Sequence, residues 1–67
     1  MKLLVNGQSI DIAQPKVTVQ NLLEHFNLST KIVVVEVDEK IVDKTQYSQF
    51  MLHDGVKIEL VHFVGGG

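Results

Sequence analysis

The sequence predicts an α+β fold, a mixed sheet of four to five strands packed on one short helix. Three observations carry this expectation. An Asn6-Gly7 hairpin signal sits between two strand-like segments at the start of the chain. A single segment, around Val19 to Phe26, has helical apolar spacing. The second half consists of strand-like runs broken by polar turns. One helix cannot cover both faces of a sheet, so the simplest arrangement wraps the sheet around that helix.

Each element has its own signals. Both central positions of a type I′ turn need positive φ, which Asn and Gly tolerate. A two-residue loop at Asn6-Gly7 then sets Leu3 opposite Ile10, Met1 opposite Ile12 and Lys2 opposite Asp11, so apolar meets apolar and charge meets counter-charge. After Pro15, Val19, Leu22, Leu23 and Phe26 fall at i, i+3, i+4 and i+7. Thr18 is placed to cap this helix and Val17 to staple onto Leu22, while Asn27 suits a left-handed exit with Leu28 folding back toward Leu23. "KIVVVEV" reads as a β-branched strand, Asp38-Glu39 as a turn and "KIV" as a short strand. "DKTQYSQ" reads as irregular, and "FML" and the Asp54-Gly55 turn lead into a last strand from Val56. The order ββαβββ is that of the β-grasp, or ubiquitin-like, fold, with a folded domain over 1–64 and a flexible glycine tail over 65–67.

Strand parity sorts the faces. In the last strand Val56, Ile58 and Leu60 share one side, taken as core, and Lys57, Glu59, Val61 and Phe63 share the other. By the same alternation Leu4, Ile32 and Val34 face outward. Leu4, Ile32, Val34, Val61 and Phe63 are therefore expected to form an apolar patch of the kind that marks partner surfaces, unless Tyr47 or Phe50 covers it.

Composition narrows the function. At 67 residues with 45% hydrophobic and 21% charged, the chain is too apolar to be disordered and too short for two domains. It contains no cysteine, which excludes disulfides, thiolate metal sites and cysteine nucleophiles and fits a reducing, cytoplasmic setting. A net charge of -2 without a basic stripe argues against nucleic acid. The longest apolar run, Ile32 to Val35, is far shorter than the ~20 residues that cross a bilayer.

The side chains suggest no enzyme. Ser9, Thr18, Ser29, Thr30, Thr45 and Ser48 lack a base at a suggestive spacing, and His25, His53 and His62 lack a paired ligand pattern. His25 suits the helix C-terminus, and His62 falls by parity on the core side or its rim. Glu36, Asp38, Glu39 and Asp43 read as a solvated edge. The other candidate is the carboxylate of Gly67. An ionised carboxylate is a poor electrophile and must be activated from outside, for which acyl-adenylate formation with ATP suffices. Gly65, Gly66 and Gly67 would extend it by ~10 Å, at ~3.3–3.6 Å per residue, into the channel of a partner, since glycine adopts any φ.

With tail, length and element order together, the sequence resembles the ThiS family of thiamine-biosynthesis sulfur carriers. The resemblance runs through "VNG", the short helix, "VVVEVDEKIVDKTQY" and "LHDGVKIELVHFVGGG". It implies a carrier that is a co-substrate and binds no cofactor itself. An activating enzyme adenylates Gly67 with MgATP, a cysteine desulfurase system supplies persulfide sulfur, and the resulting thiocarboxylate delivers sulfur to thiazole synthase. The family's terminal pair falls on Gly66 and Gly67, leaving Gly65 as an extra glycine, and Val56 stands where the family often has an acidic residue after the turn glycine. The small subunit of molybdopterin synthase is also similar, but it usually has a proline before its tail where "HFV" stands here. A noncovalent β-grasp interaction module and a ubiquitin-type protein modifier are the other readings.

Overall fold

In the computed structural model, which describes residues 1–28 and 33–62, the opening hairpin has the expected register. Strand β1 (Lys2–Val5) runs antiparallel to β2 (Gln8–Asp11), with Lys2 opposite Asp11 and Leu3 opposite Ile10. Met1 and Ile12 extend the ladder by exchanging backbone hydrogen bonds of 2.7 and 2.8 Å. Asn6 and Gly7 take φ of 49° and 81°, the positive values a type I′ turn requires.

The helix α1 (Val19–His25) begins at Thr18, as its sequence signals require. The Thr18 Oγ1 accepts from the Asn21 N–H at 3.1 Å, and the Asn21 Oδ1 accepts from the Thr18 N–H at 3.0 Å, a reciprocal cap closed by Asn at its third residue. Two further amides of the first turn have partners brought by the fold: Val19 N–H donates to the Phe50 carbonyl (3.0 Å) and Gln20 N–H to that of Tyr47 (2.9 Å). Asn27 leaves the helix at φ 59°, and Leu28 N–H donates back to the Leu23 carbonyl at 2.8 Å. Because α1 ends at His25, Phe26 lies beyond the buried stripe of Val19, Leu22 and Leu23 and is 38% exposed.

The remaining strands are β3 (Val17–Thr18), β4 (Val33–Val37), β5 (Lys40–Ile41), β6 (Met51–Leu52) and β7 (Lys57–His62). The main sheet has the order β2-β1-β7-β4-β5, five strands with β7 in the centre, parallel to β1 and antiparallel to β4. The short β3–β6 ladder, which alternation alone did not reveal, ties the start of α1 to the segment after Tyr47. "DKTQYSQ" is more regular than expected. Asp43 accepts from the N–H and Oγ1 of Thr45 and starts a 3-10 turn at Lys44–Gln46. Those hydrogen bonds hold the Asp43 carboxyl below its ordinary pKa.

The core lies between the sheet and α1. Leu3, Leu22, Leu23, Val33, Val35 and Ile58 are fully buried, each side chain contributing about 1.5–3 kcal/mol. Tyr47 joins them, and its hydroxyl donates to the Val33 carbonyl at 3.0 Å. Tyr47 thus fills the inner side of the sheet and leaves the outer face open.

The Asp38-Glu39 turn puts two non-glycine residues at φ 50° and 71°. Left-handed backbone costs an L-residue other than Asn or Asp about 1–2 kcal/mol. Glu39→Gly should therefore raise stability by about 0.5–1 kcal/mol once the added freedom of the unfolded chain is counted. The exposed Lys57–Glu39 contact of 3.9 Å contributes little against this. A denaturation midpoint at or below that of the parent would refute the strain argument.

Candidate functional site

The outer sheet face is built by parity and can be read row by row across the strands. Val34 on β4 stands opposite Val61 on β7. In the next row Ile41 on β5 stands opposite Glu36, and Glu36 opposite Glu59. A third row sets Lys57 beside Leu4 and Leu4 opposite Ser9. Val61 is 40% and Leu4 38% exposed, and Val34 is half-buried. Tyr47 points into the core, so it does not cover them.

The expected patch is thus present in part but is not continuous. Val34 and Val61 are cross-strand neighbours, whereas Leu4 aligns with Lys57, four positions from Val61, or roughly 13 Å at ~3.3 Å per residue. Glu59 lies between. Ile32, Phe63 and the glycines Gly65, Gly66 and Gly67 lie outside the described residues.

Sequence reading missed Ile41, which is 73% exposed, the most exposed of the large apolar side chains in the described residues. Its signal was available: Val42 next to it is buried, and alternation then turns Ile41 outward. The face therefore has an apolar margin (Leu4, Ile41, Val34 and Val61) around a charged centre. In that centre Lys57 Nζ lies 3.9 Å from both Glu39 Oε1 and Glu59 Oε1. Glu36 directly opposite Glu59 is a like-charge pair, unfavourable within a sheet, and Lys57 beside Glu59 offsets part of it.

Such a face can bind; it offers no catalytic set. Among the described residues no group of three His, Asp or Glu side chains is placed to hold a metal ion, and no helix is long and apolar enough to cross a membrane. His25 is exposed at the end of α1, edge-on to Phe26 at 5.1 Å, and His53 lies 3.9 Å from Asp38 on the surface. The side chain of His62 lies outside the described residues.

Comparison with known proteins places this architecture. The ThiS family model matches residues 3–67, from the first strand through the last glycine. The chain belongs to the ThiS family. The sulfur carrier protein ThiS of Bacillus subtilis is 42% identical over 65 residues, covering 97% of this chain and 98% of that protein. A thiazole synthase of Paramagnetospirillum magneticum is 39% identical over the whole of this chain, which spans only 20% of that protein's length. The crystal structure of the thiamine biosynthesis protein ThiS from Geobacter metallireducens superposes with a TM-score of 0.85 at 26% identity, covering 100% of both chains. The five-stranded sheet on one helix is thus the β-grasp of ThiS proteins, as the element order predicted.

Proposed function

We propose that this chain is a sulfur carrier of thiamine biosynthesis whose Gly67 carboxylate is the reacting group. The observation that carries this reading is the ThiS match through Gly67, in a chain whose described side chains hold no catalytic set. A Gly67 carboxylate oxygen attacks the α-phosphorus of ATP in an adenylating enzyme, forming the acyl-adenylate and releasing pyrophosphate. The outer sulfur of a cysteine persulfide, charged by a desulfurase, then attacks the carbonyl carbon and AMP leaves. A thiol cleaves the resulting acyl disulfide, leaving the thiocarboxylate on Gly67 and a disulfide on the donor side. ATP and Mg²⁺ belong to the activating partner.

Thiazole synthase is the proposed acceptor of this sulfur. Its support is the matching segment within a protein of that name, because carrier and synthase in one chain meet at high effective concentration. Family membership also favours the thiamine branch over the molybdopterin-synthase reading. A cytoplasmic setting suits a cysteine-free chain and a group as easily oxidised as a thiocarboxylate.

The outer sheet face is the proposed docking surface, with the Val34–Val61 pair as its described apolar contact and Ile32 and Phe63 adjoining in sequence. Incubation with the activating enzyme, ATP and a persulfide donor should give a mass gain equal to one oxygen replaced by sulfur, mapped to Gly67. An unchanged mass with a competent enzyme would sink the carrier reading and favour a noncovalent module; conjugation to lysines would favour a modifier. Val61→Asp should raise KM for activation by about ten-fold, through loss of apolar contact and added like charge near Glu59, with the fold intact.

A further inference from the structure

β7 is a central strand for only part of its length. Leu4 N–H donates to the Val56 carbonyl at 3.0 Å and Asn6 N–H to that of Ile58 at 2.9 Å, after which β1 turns away at Asn6-Gly7. From Glu59 to His62 the backbone neighbour on one side is β4, and the β1 side has lost its strand. A strand paired on one side opens more readily than one paired on both.

The side chain of Asn6 takes the place of the missing strand. Its Oδ1 accepts from the Leu60 N–H at 2.8 Å, and its Nδ2 donates to the Leu60 carbonyl at 3.3 Å, across 54 residues of sequence. A carboxamide presents one acceptor and one donor in a plane, as a peptide group does. It therefore continues the β1–β7 ladder by one step after the backbone has left. Asp38 does the corresponding service at the other end of β7: its N–H donates to the Lys57 carbonyl at 2.8 Å and its Oδ1 accepts from the Lys57 N–H at 3.3 Å.

We propose that Asn6 is a positioning residue for the carrier reaction, acting through Leu60 to fix the direction in which β7 delivers the C-terminal glycines to a partner. The proposal rests on the carrier reading above. Asn at this position does two things that no other residue type combines: it accepts the positive φ of the turn and supplies the amide that holds Leu60. Docking uses the outer face and does not involve Asn6. Its loss should therefore leave binding unchanged and misalign the carboxylate.

Two variants test this. Asn6→Gly keeps the turn and removes both bonds. Asn6→Asp keeps the shape and the acceptor but sets an oxygen against the Leu60 carbonyl. In ATP–pyrophosphate exchange with the activating enzyme, Asn6→Gly should lower kcat by about ten-fold or more with KM within about two-fold, and Asn6→Asp should lower kcat by about three-fold. Amide exchange at Leu60 should quicken by about ten-fold in Asn6→Gly while Leu22 and Val35 keep their protection. In Asn6→Asp, which keeps the acceptor, protection of Leu60 should stay closer to the parent's than in Asn6→Gly. A kcat equal to the parent's in both variants, or a loss confined to KM, would overturn the proposal and leave the carrier reading standing. If the parent chain itself gives no exchange with a competent enzyme, the carrier reading fails and the proposal with it.

Discussion

Deleting Gly67 is expected to reduce adenylation of the chain by about 10²-fold or more while binding to the activating enzyme stays close to that of the parent. The deletion draws the terminal carboxylate back by ~3.3–3.6 Å, one residue's reach. A misplacement of even ~1 Å at the reacting atoms can cost about 10²-fold in rate. The proposed docking side chains Val34 and Val61 lie in strands upstream and are untouched. ATP–pyrophosphate exchange measures the rate, and titration without ATP measures the binding. A shortened chain activated within a few-fold of the parent would show that the last carboxylate is not the reacting group. Equal losses of rate and affinity would instead place the docking energy in the tail.

The largest effect on stability should come from Tyr47. It is buried among the core residues, its hydroxyl donates to the Val33 carbonyl, and its own carbonyl accepts from the first turn of α1. Tyr47→Ala should cost about 3–5 kcal/mol, by analogy with other large aromatic truncations. A chain of this size has only ~3–10 kcal/mol in total at ~0.05–0.15 kcal/mol per residue, so that variant should be largely unfolded near its working temperature. Tyr47→Phe, which removes only the bond to Val33, should cost about 1–2 kcal/mol.

The same residue gives an alkaline signature. Burial pushes the Tyr47 hydroxyl above its ordinary range, and the Asp43 charge adds to it. With the folded pKa above the unfolded value of ~10, the contribution is fully present below that pH and is lost as the pH rises through the folded value. Tyr47→Phe should flatten the fall in stability above pH ~10. An unchanged alkaline slope in that variant would assign the fall to other groups.

How much of this was legible in the sequence differs from element to element. The hairpin register, the Thr18 cap and the Asn27 exit were legible because their chemistry is local: a turn needs positive φ, and a cap needs an oxygen within three residues. The outward direction of Leu4, Val34 and Val61 was legible from alternation alone. Ile41 was less legible: it follows from the buried Val42 beside it, and its two-residue strand is too short to display a period of its own.

By itself, then, the sequence determined which face each long strand shows and where the helix starts and stops, and it offered the terminal glycines as the candidate for the proposed chemistry. The tertiary structure decided who stands beside whom. It set β7 between β1 and β4, separated Leu4 from the Val34–Val61 pair by placing Lys57 and Glu59 between them, and turned Tyr47 inward to cap α1 and brace Val33. It also brought Asn6 against Leu60. The physical reason is that a period of two fixes the side of a strand and carries no information about its neighbours. Those are chosen by packing between residues as many as 54 positions apart.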